Sequence, residues 1–134
     1  MHWMLIATIL VAGTIATFTD WLFMGVLFHQ HYNRYPEVWW PGFREKGDRK
    51  AIIYSSLLAY ATAAGIILLC AVARATGFAE ALALSILAWI AGPLVVVVTN
   101  GFWIKLDPRI TFAHATGYLA RFLIAGAAAG FVLR

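Results

Sequence analysis

Apolar positions run almost unbroken over residues 4–28, 51–73, 81–104 and 112–133, and three polar breaks separate them: HQHYNRYPEVWWPGFREKGDRK, ATGFAEA and LDPRIT. Each apolar stretch reaches the ~20 residues that carry an α-helix across ~30 Å of hydrocarbon. Backbone groups in lipid must find their hydrogen bonds within the segment, so the stretches are helices rather than strands, and their Ala, Gly and Leu content agrees. The pattern predicts an all-α integral membrane bundle of four transmembrane helices, a single domain over residues 1–134. The two short breaks make antiparallel hairpins. The first break is long and polar.

Composition strengthens this reading. The 134 residues are 63% hydrophobic and 12% charged, with a mean hydropathy of +0.81. A soluble domain of this length cannot hide so much apolar surface. The single Cys70 sits in IILLCAVA, so no internal disulfide forms, and it reads as a small core or lipid-facing residue. No basic segment precedes the first stretch and no small-x-small site follows it, which predicts a retained helix rather than a secretory signal. The net charge of +4 comes from basic residues at helix ends, so membrane topology explains it better than nucleic acid, and no nucleic-acid partner is expected. Arg34, Arg44, Lys46, Arg49 and Lys50 lie in or beside the first break, and Lys105 and Arg109 in or beside the third. Arg74 and Arg134 lie on the opposite side. The expectation is a multi-pass protein of the cell inner membrane with the 29–50 linker cytoplasmic and both termini outside. Tyr32, Tyr35, Trp39 and Trp40 form an aromatic group beside that basic linker, suited to the headgroup level. Membrane lipid is thus the expected partner.

Two charges interrupt the apolar stretches. Asp20 lies eight residues before Phe28, and Arg121 lies nine residues into the fourth stretch, which starts from the same side. At ~1.5 Å per residue both sit ~12–14 Å below that surface. A lone charge at such depth costs ~2.5–3.5 kcal/mol even on lenient insertion scales, so the two are expected to pair. Gly13, Thr17, Asp20 and Met24 share one helical face, and His114, Arg121, Ala125 and Ala128 share another. Asn100 lies one turn from Trp103, and Ser55 and Thr62 are seven residues apart. These residues predict a polar pocket in the inner leaflet that opens toward the first linker. Candidate ligand- or ion-binding residues are Asp20, Trp21, Asn100, His114 and Arg121. Three readings remain open for the pair: a staple that fixes helix register, an anchor for a small molecule or ion, or a centre of chemistry.

Further patterns add expectations. Thr19-Asp20-Trp21-Leu22-Phe23 and Thr99-Asn100-Gly101-Phe102-Trp103 share a T-[D/N]-x-x-aromatic pattern; Leu58-Ala59-Tyr60 with Gly65 matches Leu119-Ala120-Arg121 with Gly126. A duplicated two-helix hairpin would give these matches and would turn Asp20, Tyr60, Asn100 and Arg121 toward one another. Gly92-Pro93 predicts a kink in the third helix. Gly126-x-x-x-Gly130 predicts a close-packing surface, either for another helix of the chain or for a second copy in a homo-oligomer. His29 and His31, with His114 and Glu37, form a candidate set for Zn²⁺ or a similar ion. Histidines two apart diverge on a helix, so that set requires an extended segment.

The overall plan resembles small bacterial four-helix membrane families of unknown function, whose first helix ends in a Trp-aromatic-x-x-Leu/Val-Phe signature. Here Trp21-Leu22-Phe23 through Val26-Leu27-Phe28 carries the likeness, with Leu22 departing at the aromatic position. Small multidrug exporters also have four helices and an acidic residue in the first, but their aromatic and tight-loop motifs are missing from this chain and its long first linker is foreign to them, so that likeness is of plan only. No phosphate loop, nucleophile elbow, H-E-x-x-H or C-x-x-C pattern occurs. The leading expectation is an oligomeric transporter, channel or membrane-embedded binding protein. The alternatives are a membrane oxidoreductase acting on a lipophilic substrate through Asp20, His114 and Arg121, and a structural or accessory subunit. The sequence does not identify a cofactor.

Overall fold

The computed structural model of the chain describes residues 2–39 and 49–133. Four helices are long and apolar enough to cross a membrane, and no strand occurs among the described residues. Helix α1 covers His2–Asp20 and continues as a π-helical segment, Trp21–Leu27. Two short 3₁₀ turns follow, His29–Asn33 and Pro36–Val38. Helix α2 is Arg49–Val72, α3 is Phe78–Trp103 and α4 is Pro108–Val132. Trp40, Arg44, Lys46 and Arg134 lie outside the described residues.

The helix ends follow local chemistry. Asp107 caps α4: its carboxylate accepts from the Arg109 backbone N–H at 2.9 Å, and Pro108 opens the first turn, where no amide donor is needed. At the end of α2, Arg74 adopts a left-handed conformation, φ 55°, while the Ala75 N–H reaches the Cys70 carbonyl at 2.9 Å. This closing turn usually takes glycine. Glu80 accepts from the Thr76 backbone N–H at 2.8 Å, steadying the entry to α3.

Helix α4 is the central element. It packs against α1, α2 and the first half of α3, whereas α2 and α3 barely touch. Small residues make this possible. Ala12, Ala16, Ala59, Ala63, Ala81, Ala113, Ala125 and Ala129 are all buried, and Ile67 and Cys70 complete the interior. Gly13 lies directly under the Tyr60 ring, bringing α1 close to α2. Gly126 faces Ser85 and the Ala81 carbonyl, and a side chain on Gly130 would sit 2.7 Å from the Phe78 Cα. Of the two partners expected for the Gly126 and Gly130 face, the one present is α3 of the same chain. That face is filled within the bundle.

The outside of the bundle is apolar, with Leu10, Phe18, Leu57, Leu68, Val95 and Phe131 among its exposed side chains. Hydroxyls on the helices bond back to their own backbone: Thr8, Thr14, Thr17, Thr19, Ser56, Thr62 and Thr116 each donate to a carbonyl four residues earlier. Such bonds satisfy these hydroxyls without water.

Two expectations change here. A duplicated hairpin would give α2–α3 packing to match α1–α4 packing, and this bundle lacks it. Tyr60 turns to Gly13 and Thr14 of α1, and Asn100 lies on an exposed part of α3, so the four polar residues do not converge. The strain at Gly92-Pro93 is relieved by a π-helical widening over Ile90–Leu94, which absorbs the missing amide donor.

Candidate functional site

Asp20 stands at the last α-helical position of α1, just before the π segment. Arg121, 7% exposed, reaches it from the middle of α4, and the Arg121 guanidinium donates to an Asp20 carboxylate oxygen. The same guanidinium donates to the Thr62 hydroxyl on α2 at 3.4 Å and lies 5.2 Å from the centre of the Tyr118 ring. Three helices therefore meet at this pair, and an aromatic face shields its fourth side. Among the described residues, two buried side-chain atoms have no hydrogen-bond partner, Asp20 Oδ1 and Arg121 Nε. They lie on the two members of one pair, so a side-on, two-bond arrangement of guanidinium and carboxylate would use both.

A polar path leads from the pair toward the linker. Tyr118 contacts the His114 ring one turn earlier on α4, with ring centres 6.1 Å apart. His114 Nε2 is bonded to the Tyr32 hydroxyl at 2.8 Å. Tyr32 belongs to the 3₁₀ turn after α1, where burial, aided by the nearby Tyr118, pushes its phenol up to about 12. It keeps its proton through the physiological range. Its ring meets Trp39 at 5.2 Å between centres, and the Trp39 indole donates to the Tyr32 carbonyl at 2.8 Å.

The linker is clasped to the α3–α4 turn just beyond. Asp107, 2% exposed, accepts from Arg34 at 3.1 Å and lies 3.8 Å from His31 Nδ1. The Arg109 backbone N–H, then Arg34, hold the Asp107 carboxyl below its ordinary range, against the opposing effect of burial. Lys105 donates to Glu37 at 2.8 Å on the surface, which lowers the glutamate and raises the lysine. Both Lys105 and Arg34 stand over the Tyr35 ring.

Beside this path a groove of about 470 Å³ opens between the second half of α3 and the first half of α4. Pro93, Val96, Val97 and Leu106 supply its apolar walls. Asn100, Thr111, His114 and Tyr118 supply its polar groups. Its origin is geometric. Gly126 and Gly130 hold the first half of α3 tightly on α4, and the π widening at Pro93 lets the second half diverge. The two helices approach again where Gly101 meets Thr111.

The expected site residues therefore divide. Asp20 and Arg121 are joined, with Thr62 beside them, and His114 is connected to them through Tyr118. Asn100 reaches the groove and not the pair. Trp21 is 63% exposed on the outer face, and Ser55 is exposed and bonded to the Ile52 carbonyl. The metal set does not assemble: His29 to Asn33 is helical, so the two histidines part. His31 faces Asp107, His114 faces Tyr32 and Glu37 holds Lys105. Among the described residues no three His, Cys, Asp or Glu side chains stand together.

Sequence reasoning passed over Tyr118, Tyr32 and Asp107. Tyr118 had a signal, lying one turn from both His114 and Arg121. Asp107 had another, because Asp-Pro before an apolar run marks a helix start. Tyr32 as a partner for His114 had none, since 82 residues separate them. No protein-family model, curated protein or solved structure matches the chain.

Proposed function

We propose that the chain is a small multi-pass membrane protein that binds a small molecule in the leaflet on the linker side, as a membrane-embedded binding protein or transporter does. The observation that carries the reading is the continuity between the buried Asp20–Arg121 pair and the open groove, through Tyr118 and His114. Intramembrane charges are expensive and concentrate at sites of binding and transport. Here one wall of an accessible groove is a single side chain away from such a pair. We further propose that the linker side is cytoplasmic, because seven of the ten basic residues lie in or beside the first and third breaks. An oligomeric form would use faces other than Gly126 and Gly130, which α3 covers.

A second reading rests on a specific observation. Asp20, Thr62 and Tyr118 already surround the guanidinium, and the two unpartnered atoms complement each other. A structural staple needs no more. A reaction centre built on Asp20, His114 and Arg121 has less support, because His114 is engaged with Tyr32 and not with the carboxylate.

Asp20→Asn separates the first two readings. The amide keeps the shape of the carboxylate and still accepts from Arg121, so the fold should persist with unchanged circular dichroism and elution volume. Small molecules that remain with the protein through purification are identified by mass spectrometry in wild type and variant. A functional pair predicts a loss of about tenfold or more in retained molecule in the variant. Equal retention in both, unaffected by pH, leaves the pair a staple.

A further inference from the structure

We infer that the α3–α4 groove is a site for a neutral, lipid-soluble molecule whose head carries a carbonyl acceptor, a quinone-like compound being the simplest such ligand. The inference rests on the proposed binding function and adds the place and the ligand class.

Access comes first. Val96 is 57% exposed and Asn100 is exposed, so the groove opens on the outer surface of the bundle, within the length of a spanning helix. A ligand reaches it from the bilayer, and its body rests on Pro93, Val96 and Val97. The head chemistry follows from the polar side. The hairpin register, fixed by Gly126 on Ser85 and Gly101 on Thr111, sets Asn100 across from Thr111 and Val97 across from His114. Among the described residues, the His114 ring has one hydrogen-bond partner, the Tyr32 hydroxyl at Nε2. We assign the Tyr32 hydroxyl as the donor in that bond, which places the hydrogen of the neutral imidazole on Nδ1. Nδ1 and the Asn100 amide are then the N–H donors that the side chains lining the groove offer to a ligand acceptor.

Charge decides against an ionic head. Arg121 is paired with Asp20, Arg34 with Asp107 and Lys105 with Glu37, and no Lys, Arg, Asp or Glu is among the residues lining the groove. The groups lining the groove are an amide, two hydroxyls and an imidazole. A carboxylate or phosphate head would leave water without gaining a counter-charge. A carbonyl loses little by the same transfer.

The experiment uses the full chain in detergent and two probes, decylubiquinone and the anion myristate. Binding is read by quenching of tryptophan emission, since the Trp89 indole, bonded to the Ala115 carbonyl at 3.0 Å, lies one turn from Pro93 at the end of the groove. Saturable quenching by decylubiquinone is expected. It should weaken about tenfold in Asn100→Leu and in His114→Phe, and should vanish in Val97→Trp, which fills the groove. Each variant is first shown to keep wild-type helicity and elution volume. Because His114→Phe also frees Tyr32, Asn100→Leu, which touches no described hydrogen bond, carries the decision. Unsaturable quinone quenching in wild type, or unchanged affinity in either Asn100→Leu or Val97→Trp, overturns the inference. If myristate binds instead and Asp20→Asn abolishes it, the neutral-head assignment fails while the binding function stands. If neither probe binds and Asp20→Asn retains the same molecules as wild type, both fail.

Discussion

A carboxylate and a guanidinium buried between three helices are costly apart and tolerable together, so the Asp20–Arg121 pair is best tested by removing one member and then both. Asp20→Ala leaves Arg121 without its counter-charge, at an expected cost of about 3–5 kcal/mol in detergent-based unfolding. Adding Arg121→Leu should restore part of that loss. A double variant as unstable as the two single losses added would show that the residues act independently. Asp107 gives a residue-scale prediction in pH. Its folded carboxyl titrates below its ordinary value of 3.8, so its contribution is complete above that value and is lost as pH falls further, through the folded titration point. Asp107→Ala should cost about 1 kcal/mol as a lost helix cap. It should also flatten the acid limb of the stability curve, and an unchanged limb would remove Asp107 from the account.

The elements depend on small residues where helices approach and on permissive backbone where they end. Gly130→Ala places a methyl 2.7 Å from the Phe78 Cα, so helix must move, and destabilisation of about 1–3 kcal/mol is expected. Gly65→Ala is the matched comparison: nothing lies within 4 Å of the added methyl, and relief of helix-interior glycine should stabilise by about 0.5–1 kcal/mol. Equal effects at the two sites would deny the tight α3–α4 contact on which the groove's geometry depends. The helices themselves were legible, because four apolar runs of spanning length admit one secondary structure in lipid. Their ends moved by a few residues, as at Arg49 and Phe78, where polar and capping groups extend the helix beyond the apolar run. The faces were legible only in part. Period put Asp20 and Arg121 on inward faces, whereas Trp21, also expected among the binding residues, is exposed on the outside.

For the whole molecule, the proposed orientation makes a simple prediction. Cys70 is buried, so single cysteines at exposed positions report accessibility against a low background. Ala73→Cys should react in intact cells with a membrane-impermeant reagent, and Gln30→Cys should react only after the cells are opened. The reverse pattern would invert the topology.

Length and hydropathy specified four long apolar helices, and spacing set Asp20 and Arg121 at matching positions along theirs, because each follows from one-dimensional pattern. Spacing also implied that Asp20 and Arg121 are level, and two opposite charges level in lipid have a strong reason to meet. Which helix would be central was not in the sequence. Gly126 and Gly130 suit a helix of the same chain or of another, and the choice of α3 depends on Ser85 and Phe78 arriving opposite them. The groove is likewise a tertiary product, formed where tight packing at one end of a hairpin meets a proline-widened turn in its middle. The Tyr32–His114 bond, between residues 82 apart, is decided only when the linker folds back over α4.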